Sequence, residues 1–360
     1  MTAVLIREQF AQARQRGLRA RDAAQAIGQS EGAVVAAHAG MQEGPLRALP
    51  LLPRWLEILQ SLQACGPLMA LTRNESTVHE KTGVYQQLSA NGPVGLALGE
   101  DIDLRLFFDR WHAGFVVTEV PAQGEAQASL QFYDPHGQAV HKIYPRAQTE
   151  RTAWEQVLQR WADPGQAVVF EAGAAPRTLP APADTAARCA TEFAQAWAGM
   201  SDTHQFFGLL RRFGLERQQA LGLVEGRFTR RVATDAVRQL LLAAALDGTP
   251  IMVFVSSPGC IQIHSGPVQR VEPLAMRGQT WLNVLDPGFN LHLREDRIAS
   301  AWVVEKPGDC GTVSSLEVFD TEGALMAMFF GARKPGQPEL TDWRELLAPL
   351  SPQPAGAVPA

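Results

Sequence analysis

The chain repeats itself at one nearly constant interval, and this constrains its fold more than any other feature of its 360 residues. Residues 98–117 read LGEDIDLRLFFDRWHAGFVV, and residues 285–304 read LDPGFNLHLREDRIASAWVV, a displacement of 187. SLQFYDPHGQAVHKIY, from Ser129, is answered by SLEVFDTEGALMAMFF, from Ser315, at a displacement of 186. In that pair Asp134 and Gly137 match Asp320 and Gly323. A weaker echo relates MALTRNESTVHEKTG, from Met69, to MVFVSSPGCIQIHSG, from Met252. The interval is far longer than a solenoid unit, so three ordered blocks at almost one offset indicate a tandem duplicated domain.

Within each copy, helices are expected first and strands after. Residues 7–28 and 53–64 have helical spacing with charged faces, whereas LMALTR, SLQFY and AVHKIY are short apolar runs with partial alternation. Asp134-Pro135-His136-Gly137 and Asp320-Thr321-Glu322-Gly323 have hairpin-turn chemistry, a short acceptor side chain opening the turn and a glycine closing it. Strands joined by such turns pair antiparallel. The predicted class is therefore α+β, with each half a mainly antiparallel sheet carrying packed helices. Residues 171–187, EAGAAPRTLPAPADTAA, lack a sustained apolar period and read as a linker between repeats at 1–170 and 188–350. The last stretch, 351–360, is expected to be a disordered tail.

With 46% hydrophobic and 19% charged residues, each half can bury a core without covalent staples. A formal charge of −5 gives no bulk attraction to nucleic acid or anionic lipid, so an anionic ligand would have to be met by local cations. Cys65, Cys189, Cys260 and Cys310 lie far apart without CxxC spacing, and the charged N-terminus does not resemble a signal peptide. A reducing cytoplasm is the expectation. No apolar run approaches the roughly 18 residues of a membrane span, so membrane insertion is not expected.

The candidate site opens the second copy, in Ser201-Asp-Thr-His-Gln-Phe-Phe-Gly-Leu-Leu-Arg-Arg-Phe-Gly214. Asp202 followed by Gln205 has capping-box spacing, and Gly214 suits a left-handed stop after Arg211 and Arg212. A helix over about 203–213 puts His204 in the first turn, where the helix dipole disfavours imidazolium and keeps a ring nitrogen available to a metal. Phe207 and Gly208 share its face, one able to press on a flat apolar ligand and the other bare of side chain. From spacing alone a capped, half-exposed histidine remains the commoner outcome. The other histidines form no zinc set: HExxH and finger spacings are missing, His136 sits in a turn, and His79, His141, His264 and His292 fall on expected strands. GLALGED is not a dinucleotide fingerprint, so any electrons would come from outside the chain.

The phrases LTRNESTVHEKTG, LGEDIDLRLFFDRWHAGF, SLQFYDPHGQAVHKIY, DTHQFFGLLRRFGLERQQA, GCIQIHSGPV, WLNVLDPGFNLHLRED and AWVVEKP resemble the HemS/ChuS/PhuS family of cytoplasmic haem-trafficking and haem-degrading proteins. The resemblance runs from about residue 15 to 345 and includes the duplication. It implies a haem ligand with His204, in the DxHxFF phrase, as proximal iron ligand, and Arg105, in the DLR phrase, reaching the haem from the opposite side. It also implies Arg217 of GLxRQQA, Lys306 of AWVVxKP and Arg333 after FFG around the haem edge, where cations hold the two propionates while an apolar surface that includes Phe207 and Phe330 faces the ring. Phe330 stands where some relatives have tyrosine, so a phenolic hydrogen bond is lost. The first copy has no counterpart of His204, which implies one asymmetric site made by the second copy and completed by Arg105. The implied function is carriage of imported haem between the importer's cytoplasmic side and a haem oxygenase. The alternative is a haem-degrading oxygenase fed by an external donor, with Arg105 in a distal catalytic role.

Overall fold

The computed structural model describes residues 1–120, 124–173, 179–276, 278–333 and 336–353. Their strands form two nine-stranded antiparallel sheets, and the chain divides into two compact units. The first unit holds residues 1–74, 79–175 and 256–263, and the second holds 75–78, 176–255 and 264–360. The units are thus not the contiguous halves expected from the duplication. Asp103–Phe107 of the first unit lies between Val94–Leu98 and Cys260–Ile263, with Ile261 opposite Arg105. A strand's open backbone groups accept any strand of matching pattern, and two similar repeats offer equivalent candidates.

In the first unit, Leu46–Pro50, Ala113–Glu119, Gln127–Tyr133, Ala139–Pro145 and Leu68–Arg73 lie side by side in that order. In the second, Thr229–Val232, Ile298–Lys306, Val313–Asp320, Leu325–Gly331 and Ile251–Ser256 repeat the order. The hairpin turns repeat in atomic detail. Asp134 Oδ1 accepts from the backbone N–H of His136 at 3.0 Å and Gln138 at 2.8 Å; Asp320 Oδ1 accepts from Glu322 and Ala324 at the same two distances. Gly137 and Gly323 follow with φ of +75° and +76°, the left-handed region that glycine enters without steric cost.

The strand Val313–Asp320 is buried at every position because the second unit covers both faces of its sheet. Leu316, Val318, Val303, Ala327 and Phe329 meet the helices Ala236–Asp247 and Thr341–Leu347 through Leu240, Leu241 and Trp343. Trp302, Val304 and Phe319 meet the helices Ala183–Ala198, Gln205–Phe213 and Arg217–Leu223 through Trp197, Phe206, Leu210 and Leu221. The helix from Ala183 begins inside the stretch expected as linker, using Ala186, Phe193 and Trp197 as its buried stripe. Val168 and Phe170 pack on the helical core of the first unit. Of the expected disordered tail, Ser351–Gln353 are described and Pro352 bridges Val232; residues 354–360 lie outside the described residues. No described helix is long and apolar enough to cross a membrane.

Candidate functional site

The helix that carries the site runs Gln205–Phe213, with His204 at its cap position rather than in its first turn. The capping differs from the expected box. Gln205 Oε1 accepts from the backbone N–H of Ser201 at 3.0 Å, and Asp202 Oδ1 accepts from the backbone N–H of His204 at 2.8 Å. Asp202 therefore closes a tight turn onto the histidine instead of bonding three residues ahead, as a short carboxylate readily does. Gly214 ends the helix at φ +61°, its N–H donating to Arg211 and that of Leu215 to Leu210.

The turn also orients the imidazole. Its Nδ1 lies 2.6 Å from Asp202 Oδ1, and the side chain of His204 is 89% exposed. The backbone and ring N–H groups of His204 together hold the Asp202 carboxyl below its ordinary range. Phe207 is 57% exposed, and a Cβ added at Gly208 would meet nothing within 4 Å. The helix thus presents an imidazole, an exposed ring and a bare backbone patch. Phe206, one residue from Phe207, is buried beneath it against Trp197, their ring centroids 5.0 Å apart.

Behind this face lies a charged cluster. Arg217 is the first residue of the helix Arg217–Leu223, whose cap Glu216 accepts from the backbone N–H of Gln219. Its guanidinium donates through Nε to Glu317 Oε2 and through Nη2 to Glu317 Oε1, both at 2.8 Å, and lies over Phe206 and Phe207 at 5.0 and 5.7 Å. Lys306 Nζ donates to Glu317 Oε1 at 2.8 Å and sits 4.8 Å above the Phe206 ring. Glu317 itself has no exposed surface. Burial opposes its charge, but the two cations outweigh burial and hold its carboxyl at about 2. Burial pushes the Lys306 ammonium down despite that carboxylate. Two cations against one anion leave this buried cluster one positive charge in excess.

Arg333 is half-buried, its Nε buried without an acceptor among the described residues, and its charge reaches Asp202. Phe330 packs on Phe254 at 5.0 Å, and the strand register sets it opposite Ser315. The second unit therefore brings together His204, Phe207, Arg217 and Lys306 around Phe206, with Arg333 beside Asp202. Arg105 lies in the first unit, on the strand Asp103–Phe107, where Nη1 donates to Asp103 Oδ1 and to Leu104 O.

Most other histidines are occupied as structural groups. His141 joins Thr72 Oγ1 at 2.9 Å and the Tyr85 hydroxyl at 2.7 Å, and burial holds it down at about 3, so it stays neutral. His79 bonds Gln262, His292 bonds Asn283, His38 bonds Val34 O, and His264 stacks on Phe289 at 3.8 Å. The described residues contain no cluster of three or more His, Cys, Asp or Glu suited to a bare metal ion.

Glu317 was not anticipated from the sequence. The available signal is a charged residue at an inward position of SLEVF, where the first copy has Gln131 in SLQFY. There Gln131 bonds Ser129 and Tyr133, while Glu31, which opens the helix Glu31–Ala37, pairs with Lys142. Position for position, Glu31 and Lys142 correspond to Arg217 and Met328, so the charge at the helix start is inverted between copies.

The family model for the haemin-degrading HemS.ChuX domain matches residues 28–161 and again 214–350. The Yersinia enterocolitica protein named hemin transport protein HemS is 38% identical over 354 residues, 96% of this chain and 97% of its own. Yersinia pestis HmuS, also named a hemin transport protein, is 39% identical over 295 residues, 81% of this chain and 83% of its own. Among solved structures, holo-PhuS, a heme-binding protein from Pseudomonas aeruginosa, superposes with a TM-score of 0.89 at 42% identity, covering 98% of this chain and 100% of that one. ChuS, described as an E. coli heme oxygenase, gives a TM-score of 0.85 at 35% identity, covering 96% and 99%.

Proposed function

Because the chain belongs to the haemin-degrading HemS.ChuX family, matched twice along its length, we propose that it is a cytoplasmic haem-binding protein that carries imported haem toward a degrading enzyme. The observation that carries this reading is the face around His204: an imidazole with Nδ1 tied down and Nε2 free, flanked by an exposed ring and a glycine that leaves space beside it. A planar, largely apolar iron macrocycle needs one nitrogen donor, an aromatic surface and room, and this helix offers all three. Haem also carries two carboxylates. The excess positive charge of the Arg217, Lys306 and Glu317 cluster meets one of them, and the buried Arg333 Nε, without an acceptor among the described residues, suits the other. Arg105 is carried into this reading from the family phrase DLR, as a further cation for the haem.

A second reading, haem opening with release of iron, is favoured by the 35% identity to a protein described as a heme oxygenase. In that reading Arg105 stabilises developing negative charge by hydrogen bonding, and the electrons come from an external donor. The deciding experiment loads the protein with haemin, supplies a reductant in the presence of catalase, and follows the Soret band, ring-opened product and freed iron. Carriage predicts an intact Soret band and transfer of haem to an added haem oxygenase. Stoichiometric ring opening that survives catalase and fails in Arg105→Ala overturns carriage. A haemin Soret band that the protein leaves unchanged overturns both readings.

A further inference from the structure

Asp202 precedes the helix, outside the buried cluster, and its side chain makes two contacts with a single residue. Oδ1 accepts the backbone N–H of His204 at 2.8 Å and lies 2.6 Å from His204 Nδ1. The first contact fixes where the histidine backbone sits, and the second fixes how the ring is turned. A carboxylate is an acceptor only, so the short Nδ1 contact requires the proton on Nδ1, which in the neutral ring leaves the lone pair on Nε2. The turn itself is anchored independently of the ligand: Gln205 bonds back to the backbone N–H and hydroxyl of Ser201, and the backbone N–H of Asp309 donates to Ser201 O at 2.8 Å.

We propose that Asp202 is the positioning residue of the haem site, holding His204 as the Nδ1-protonated tautomer so that Nε2 is presented to iron in the ligand-free chain. This rests on the haem reading above. A carboxylate on the far nitrogen also makes the near nitrogen a stronger donor, because negative charge is drawn through the ring toward the metal. Preorganisation of this kind matters most for an exposed ligand. A side chain 89% exposed has no packing to hold its rotamer, so the hydrogen bond must do so.

The test begins on protein without haem. Nitrogen-15 NMR of the histidine rings distinguishes the tautomers directly, and resonances outside residues 201–206 report whether the fold is intact. In the wild type, neutral His204 is expected as the Nδ1–H form. In Asp202→Ala it should become mainly the Nε2–H form that an unconstrained histidine side chain favours in water. In Asp202→Asn, whose amide oxygen still accepts, the Nδ1–H form should return. With haemin and reductant, the iron–histidine stretching band should fall in frequency in Asp202→Ala and in Asp202→Asn, and haem should dissociate about tenfold faster from the alanine variant, a change of about 1.4 kcal/mol. An unchanged His204 tautomer in a folded Asp202→Ala protein overturns the proposal whether or not haem binds. A wild-type haem complex whose iron–histidine band persists in His204→Ala overturns the ligand assignment while leaving the tautomer result standing.

Discussion

Arg217 and Glu317, separated by 100 residues in the chain, form a two-bonded pair with both contacts at 2.8 Å, and Lys306 shares the same carboxylate. The pair joins the start of a helix to the middle of a strand buried on both faces, so it ties the layer carrying His204 to the sheet beneath. Its two cations also rest against Phe206, in the same turn of helix as the exposed Phe207.

Glu317→Gln should therefore be among the more destabilising single changes, by about 3–5 kcal/mol at neutral pH, because it strands two buried cations. The Glu317 carboxyl is held at about 2, below its ordinary value near 4.5. A depressed acid contributes its full stability above the unfolded value and loses it as pH falls toward the folded one. Urea midpoints measured from pH 7 to pH 2.5 should show the gap between wild type and variant narrowing below about pH 4.5. A gap independent of pH would mean that the carboxylate's charge is not what the variant removes.

Gly208 separates folding from binding. It lies inside the helix Gln205–Phe213, and an added Cβ meets nothing, so Gly208→Ala should stabilise the ligand-free protein by roughly 0.5–1 kcal/mol. Gly208→Leu should weaken haem binding tenfold or more by filling the bare patch. Thermal melts and haemin titrations of both variants check this, and unchanged affinity in the leucine variant would move the ligand off this face.

His204→Ala should leave the melting temperature nearly unchanged, since the side chain is almost fully exposed and its imidazole is tied to Asp202 at the surface. It should nevertheless weaken haem binding and alter the visible spectrum. His79→Ala should do the reverse, because His79 is buried and bonded to Gln262: a stability loss with the Soret band retained. Paired absorption spectra and melts of the two variants read both effects.

Arg105→Ala should lower haem affinity by about tenfold to a hundredfold, the loss expected for a charge-assisted contact of roughly 1.5–3 kcal/mol. Stability should move little, since its own ion pair with Asp103 is partly exposed. The substitution belongs in the full chain. A fragment from about residue 187 would cut the helix Ala183–Ala198 and carry the strand segment Cys260–Ile263 away from Asp103–Phe107. Equal haemin affinity in Arg105→Ala would remove this arginine from the site.

The duplication, the two hairpin turns and the helix around His204 were legible in the sequence because each depends on neighbours along the chain: a turn aspartate bonding two and four residues on, or a glycine entering the left-handed region after a last helical turn. Family phrases added the cations. Tertiary structure alone decided what those cations do before a ligand arrives, because Glu317 reaches Arg217 across 100 residues and Lys306 across a strand pair. It also decided that the repeats exchange short segments, since either copy of a repeated strand can pair with the same neighbour. Asp202 lay between these extremes. Its place before a helix suggested a cap, and only the folded turn bonds it to the histidine ring two residues away. Local chemistry is written in spacing, whereas charge balance in a buried layer depends on which distant residues the fold brings to the same spot.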